Sequence, residues 1–256
     1  MSILPNPLAW LSRDSQHLVF RALRARLLDE KIELALIRRH VKPADTVCDI
    51  GANKGSFVFW LSRWCPKGQV IAFEPQPTFA NLLRRLTLSL GLDNVKVEQK
   101  AVFSRDGHAD LFVPEGQLPS ASLVAKVAGS GRFETISVPM VRLDDYFDQV
   151  QRITLMKVDV EGAELEVFKG AERILRDQSP LLIFECESRH LQGASMADVF
   201  AYLNALGYTG SFIDGSRLLP VSQFDPAVHQ KQDSEWFWKA KDYRNNFVFS
   251  KTPLES

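Results

Sequence analysis

Three stretches of this sequence end an apolar run in a carboxylate and then turn. The first is Val47-Cys48-Asp49-Ile50-Gly51-Ala52-Asn53-Lys54-Gly55. Glycines at 51 and 55 remove Cβ atoms where a backbone would approach a ligand, and a helix starting near Ser56 would aim its free N–H groups at it. A dinucleotide site uses Gly-x-Gly-x-x-Gly to seat a pyrophosphate on a helix N-terminus, whereas this turn is Gly-x-x-x-Gly behind an acid. Asp49 repels phosphate but accepts from an ammonium. The turn, including Ala52 and Asn53, therefore suits a nucleoside that carries an amino acid, as S-adenosylmethionine does.

The second run, Ala72-Phe73-Glu74-Pro75, offers two acceptor oxygens to the adjacent hydroxyls of a ribose. The same acid would serve NAD, and its plainer role is to cap the next helix. The third, Met156-Lys157-Val158-Asp159-Val160-Glu161-Gly162-Ala163-Glu164, puts Asp159 and Glu161 where a sheet crevice would expose them. Helix-terminal acids favouring the dipole are the alternative for Glu161 and Glu164. A hydroxyl acceptor is a weak nucleophile and gains from a nearby base, so the candidates are Asp159, Glu161, Glu185 and His190. Asp159 and Glu185 could instead share a divalent metal, a less favoured reading because no third ligand is evident. Trp236, Phe237, Trp238 and Tyr243 read either as an acceptor-binding aromatic wall or as core.

Short apolar runs alternating with helical segments must position these groups, the pattern of parallel βαβ units. Strands are predicted at 46–50, 69–73, 94–97, 153–160 and 181–186, and helices at 56–64, 78–90, 163–175 and 197–206. Residues 101–104 and 109–113 flank Asp106-Gly107, which predicts a tight hairpin and a small β insertion. Residues 211–213, 218–221 and 246–250 suit antiparallel strands at the sheet edge. The fold class is α/β, a doubly wound, mostly parallel sheet with an antiparallel edge strand. Phe20, Leu23, Leu27, Leu34, Ile37 and Val41 predict an amphipathic helix over 17–41, broken once and packed on the domain. Residues 1–45 are thus expected to be a helical extension and residues 46–256 the catalytic domain.

Taken in order, these residues resemble the FkbM-type methyltransferases over about residues 46–250. The resemblance rests on Asp49 through Asn53, Phe73-Glu74-Pro75, Ser122-Leu123, Leu143-Asp144-Asp145, Lys157 through Glu164, Lys169-Gly170-Ala171 and Asn246-Phe247-Val248-Phe249. It implies a Rossmann-like class I methyltransferase fold and S-adenosylmethionine as cofactor. It also implies methylation of an oxygen, mostly on sugars, glycans and natural products. By the same resemblance Asp49, Gly51 and Asn53 line the cofactor's amino-acid end, Glu74 holds its ribose, and Ala101 and Val102 lie by the adenine. Ala52, Gly55, Pro75 and Asp159 complete the expected cofactor set. Ser120, Ser122 and Asp144 match family positions, but spacing alone gives them no chemistry.

The chain's 31 basic side chains balance its 31 acidic ones. No overall field draws it to nucleic acid or anionic lipid, so a small or neutral partner is expected, and the resemblance implies a small-molecule or glycan acceptor. Cys48, Cys65 and Cys186 are an odd number and two sit in buried-strand patterns, so a reducing cytoplasm is expected. No run reaches the roughly 20 apolar residues of a membrane span. Two rival functions share this pattern: an NAD-dependent oxidoreductase, disfavoured by the glycine spacing, and a non-catalytic module that only binds the cofactor.

Overall fold

The computed structural model describes residues 11–114, 123, 133–233 and 236–254. The strands in chain order are β1 (Thr46–Ile50), β2 (Gln69–Phe73), β3 (Val95–Glu98), β4 (Ala101–Val102), β5 (Gly107–Pro114) and β6 (Phe133–Val141). They continue with β7 (Ile153–Val158), β8 (Leu181–Glu185), β9 (Thr209–Asp214), β10 (Arg217–Pro220) and β11 (Asn246–Ser250). The α-helices are α1 (Arg13–Arg24), α2 (Lys31–His40), α3 (Ser56–Trp64), α4 (Pro77–Ser89) and α5 (Leu143–Tyr146). After them come α6 (Glu164–Lys169), α7 (Glu172–Asp177), α8 (Met196–Ala205) and α9 (Pro226–His229).

Eight strands form one sheet in the order β10-β9-β11-β8-β7-β1-β2-β3. Strands β3, β2, β1, β7 and β8 pair in parallel; β11 runs antiparallel between β8 and β9, and β10 is an antiparallel edge. The doubly wound, mostly parallel sheet is therefore as expected. The chain leaves β1 toward β3 and returns to β7 on the other side of β1. That reversal opens a crevice at the carboxyl ends of β1 and β7, where α/β sheets take ligands.

Both faces of the central strands are covered, which is why they read as continuous apolar runs. Cys48, Ile50, Phe73, Met156, Val158 and Phe184 pack on the α6–α8 side with Phe168, Leu175 and Leu203. Val47, Val70, Ala72, Leu155 and Ile183 pack on the opposite side with Leu34, Ile37, Leu61 and Trp64. Successive residues of one strand thus feed alternate cores.

Three expectations need correction. The N-terminal helix is interrupted once, by a π-helical turn at Ala25–Asp29, yet its buried stripe in α1 is Ser15, Leu18 and Ala22, facing α3 and α4. Phe20, two residues past Leu18 and so about 200° around the helix, is exposed, as are Leu23 and Leu27. The Asp106-Gly107 turn does not close a hairpin between its flanking segments: β4 pairs with β6 in parallel, β5 pairs with β6 antiparallel, and the three form a separate sheet. Asp106 Oδ1 instead accepts the Arg142 N–H at 3.0 Å. Finally, the helix expected over 163–175 is two helices. Gly170 passes so close to Phe103 that a Cβ would lie 2.0 Å from the Phe103 carbonyl oxygen, and the chain bends there. Asp144 then caps α7, its carboxylate accepting from the Arg173 and Ile174 N–H groups at 2.8 and 3.1 Å. Its family-motif position has a structural use. Ser120 and Ser122 lie outside the described residues.

Among the described residues no helix is long and apolar enough to cross a membrane.

Candidate active site

At the end of β1 the chain turns through Gly51 (φ +79°), Asn53 (φ +48°) and Gly55 (φ +81°) before entering α3. Gly51 and Ala52 N–H groups donate to the Phe73 carbonyl at 2.9 and 3.0 Å, tying the turn to β2. A Cβ on Gly51 would lie 1.8 Å from the Asp159 carbonyl oxygen, and one on Gly55 would lie 2.5 Å from Leu83 Cδ2. The two glycines therefore admit protein neighbours, the end of β7 and helix α4. That corrects the expectation that they clear space for ligand.

Glu74 follows β2 and is 6% exposed. Its Oε2 accepts from Asn53 N–H at 2.7 Å and its Oε1 from Gln76 N–H at 2.9 Å, so it both braces the β1 turn and caps α4. Each oxygen keeps a second lone pair for a hydroxyl. Burial pushes this carboxyl up to about 7, against the pull of those two N–H donors. Gly51, Asn53, Glu74, Pro75, Ala101, Val102, Asp159 and Glu161 line one crevice, with Phe79, Leu111 and Leu123 as apolar walls. The β insertion thus supplies part of the wall. Of the ten expected cofactor residues, Asp49, Ala52 and Gly55 do not line it.

Asp49 lies just behind. It is wholly buried, and neither carboxylate oxygen has a hydrogen-bond partner. Burial raises its pKa, and the Lys157 ammonium 3.6 Å from Oδ1 only partly offsets this. Lys157 is itself 7% exposed and reaches Asp159 Oδ2 at 3.3 Å. Burial alone would pull its pKa down; the Asp159 and Asp49 carboxylates overcome that and hold it above the usual lysine range. One ammonium thus bridges the acid behind the crevice and the acid lining it.

On the far side of Asp159, Glu161 (φ +53°) and Gly162 (φ +102°) turn the chain toward α6. A Cβ on Gly162 would lie 2.3 Å from the His190 carbonyl oxygen, so the loops after β7 and β8 are in close contact. There Glu161 Oε2 sits 2.7 Å from His190 Nδ1, and His190 is buried at 8% exposure. His190 is thus held by Glu161 rather than left in solvent. Glu164 is buried behind this turn, accepts the Gly162 N–H at 2.9 Å, and is pushed by burial up to about 7.

Glu185, at the end of β8, accepts from Asn245 Nδ2 at 2.6 Å. Burial, then repulsion from Asp159, Glu187 and Glu161, raises its pKa well above the ordinary value. Burial and the neighbouring acids thus disfavour the charged form that a metal ligand needs. Among the described residues no group of three His, Cys, Asp or Glu side chains is placed to hold a metal ion, and beside Asp159 the cation is Lys157. The described side chains, with an ammonium beside Asp159, do not fit a divalent metal.

The structure thus unites Asp159, Glu161, His190 and Glu185 at the ends of β7 and β8, and adds residues missed in the sequence. Lys157 is the first; a lone lysine inside a buried strand almost always has an acid partner, and that was the available signal. Glu30 and Glu33 are the others. Together with Phe57, Lys157, Asp159, Glu185 and Asn246 they line a small pocket that shares Asp159 with the cofactor crevice. Burial and then repulsion from Glu30 push Glu33 up to about 8. The aromatic cluster is not core: Trp236 and Trp238 are 55% and 38% exposed.

The comparisons agree with this geometry. Residues 49–209 match the methyltransferase FkbM domain. The chain is 30% identical over 161 residues to the 2-O-methyltransferase NoeI of Sinorhizobium fredii, covering 57% of this chain and 65% of that one. It is 28% identical over 160 residues to the hexuronic acid methyltransferase AglP of Haloferax volcanii, covering 61% and 62%. The chain thus spans less than two thirds of the length of either relative. The precorrin-6y C5,15-methyltransferase of Geobacter metallireducens superposes with a TM-score of 0.50 at 11% identity, covering 87% of this chain and 88% of its own. With its crevice at the reversal beside β1 and this match over most of its length, the chain belongs to the FkbM methyltransferase family.

Proposed function

We propose that this chain is an S-adenosylmethionine-dependent O-methyltransferase whose acceptor is a hydroxyl on a sugar, glycan or glycosylated metabolite. The observation that carries the reading is the crevice at the ends of β1, β2 and β7. In it Glu74 keeps free lone pairs for a ribose diol beside the apolar slot of Phe79, Val102, Leu111 and Leu123. The donor set fits the cofactor's polar end as well. Asp49 is a buried acid without hydrogen-bond partners directly behind the turn, so a positive charge is favoured in front of it. Its part is electrostatic and is shared with Lys157, because its side chain does not reach the crevice lining.

When bound, the cofactor supplies a methyl group already activated on a sulfonium. The protein's task is then to align the acceptor and exclude water. Glu74 orients the ribose. Asp159, steadied by Lys157, sits on the crevice wall where the acceptor hydroxyl would approach. Glu161 holds His190 through Nδ1, which leaves Nε2 to take the hydroxyl proton. Glu185 shares a small pocket with Asp159 and Lys157 on this acceptor side. The sugar reading draws support from the relatives, one a 2-O-methyltransferase and one a hexuronic acid methyltransferase. A reducing cytoplasm is the compartment we propose, supported by three free and buried thiols.

Calorimetric titration with S-adenosylmethionine and S-adenosylhomocysteine, with NAD as the control, tests the cofactor assignment. Micromolar binding of the first two and none of NAD is expected. Binding of NAD alone would replace this reading with the oxidoreductase one. Cofactor binding without turnover across a sugar panel would leave a binding module.

A further inference from the structure

The segment between α9 and β11 carries two large aromatic side chains on the surface, outside the span matched by the family. Trp236 and Trp238 have ring centroids 5.3 Å apart and planes inclined at 59°, so they form an angled pair. Isolated exposed apolar residues need no explanation, but adjacent indoles mark a recognition surface.

This pair is fixed to the loop that carries His190. Glu187, 4% exposed, accepts from Arg189 Nε and Nη2 at 2.5 and 3.0 Å and from the Tyr243 hydroxyl at 2.5 Å. The Arg189 guanidinium, its charge spent on Glu187, lies 5.3 Å from the centroids of both Phe237 and Trp238. Gln230, 3% exposed, ties the assembly together from beneath: its Nε2 donates to the Cys186 and Arg244 carbonyls and its Oε1 accepts the Ser188 N–H. A platform built in this way is rigid, and one residue further on His190 meets Glu161 at the crevice.

We propose that Trp236 and Trp238 form a stacking subsite for a pyranose ring of the acceptor, one sugar unit removed from the ring that is methylated. The indole faces complement the C–H face of a pyranose, and aromatic rings supply contact area at low entropic cost. The loop from Glu187 to His190 joins this pair to the acceptor side of the crevice, and an acceptor occupying both places is a saccharide of at least two units. This inference rests on the sugar-acceptor reading above.

The test is saturation-transfer NMR of the full chain, loaded with S-adenosylhomocysteine, against maltotriose, cellotriose and chitotriose. At least one trisaccharide is expected to bind wild type, and the double variant Trp236→Ala/Trp238→Ala should weaken it by about tenfold or more. Trp238→Phe, which keeps a ring, should stay within about threefold. Homocysteine-cofactor affinity should be the same in all three proteins, which also shows that each is folded. No binding of any trisaccharide to wild type, or equal binding by the double variant, overturns the subsite. So does a wild-type self-association that the double variant abolishes, because the surface would then belong to a second copy. Failure to bind S-adenosylhomocysteine would sink the methyltransferase reading separately, while the sugar titration still decides this one.

Discussion

The two halves of the crevice are built by different means. On the β1–β2 side the contacts are short in sequence and made largely by backbone: Gly51 and Ala52 N–H groups to Phe73, Asn53 N–H to Glu74, Gln76 N–H to Glu74. On the β7–β8 side they are made by side chains from distant loops: Glu161 with His190, Tyr243 with Glu187, Asn245 with Glu185. In the function proposed, the first arrangement serves a cofactor that does not change. The second can be altered residue by residue to suit an acceptor without disturbing the first.

The sharpest way to break this contrast is Gly51→Ala. A Cβ 1.8 Å from a backbone carbonyl at positive φ leaves no small adjustment, so a loss of about 3 kcal/mol or more in stability is expected from urea unfolding. Cofactor binding should go with it. A neutral effect would mean that the β1 turn is not set by its backbone fit to β7.

Next are the acceptor-side groups. His190→Gln should lower kcat by roughly 10²–10⁴ with little change in cofactor affinity. Asp159→Asn should likewise reduce turnover more than it reduces cofactor binding. Equal losses in both quantities would show that the two halves are not separable.

Glu74→Ala should weaken S-adenosylmethionine by about one to two decades, roughly 1.5–3 kcal/mol, in calorimetry. Because the free carboxyl titrates near 7 and ribose hydroxyls donate to its charged form, affinity in the native protein should rise between pH 6 and 8. Glu74→Gln should flatten that rise.

The smallest effect concerns Glu33. Its carboxyl is raised from 4.5 to about 8 in the folded chain, so its contribution to stability is present below pH 4.5 and is lost as pH rises through about 8. Glu33→Gln should therefore raise Tm by about 2–4 °C at pH 8.5 while changing it little at pH 5. A uniform shift at both values would argue that Glu33 is charged in the native state.

The same division explains what could be read from the residues alone. Strands β1, β2 and β11 and helix α3 fall at the predicted positions, because short continuous apolar runs bounded by turn residues are local signals. Glu74 was legible as a strand-end acid for the same reason. The role of Lys157 is harder to read, since its acids come from β1 and from beyond its own strand. Along α2 and its end the spacing of Leu34, Ile37 and Val41 marks the inward face correctly, but nothing local says that the acids Glu30 and Glu33 beside it turn toward the site. Periodicity marked Phe20 and Leu27 as packed, whereas the structure buries Ser15, Leu18, Ala22 and Glu33. The hairpin error has a related origin: Asp106-Gly107 permits a tight turn, but the partner of β4 is β6, some 40 residues on.

Strand β11 has a consequence for how the chain is made. It comes last in the sequence yet lies in the interior of the sheet, between β8 and β9. Until it emerges from the ribosome, β8 and the β9–β10 hairpin each present a bare row of backbone donors and acceptors, open to mispairing. The β1–β2–β3 side can assemble during synthesis, but the acceptor side has to wait for Asn246–Ser250. A nascent chain stopped short of those residues would hold half a crevice and two exposed edges, a natural target for chaperones and proteases.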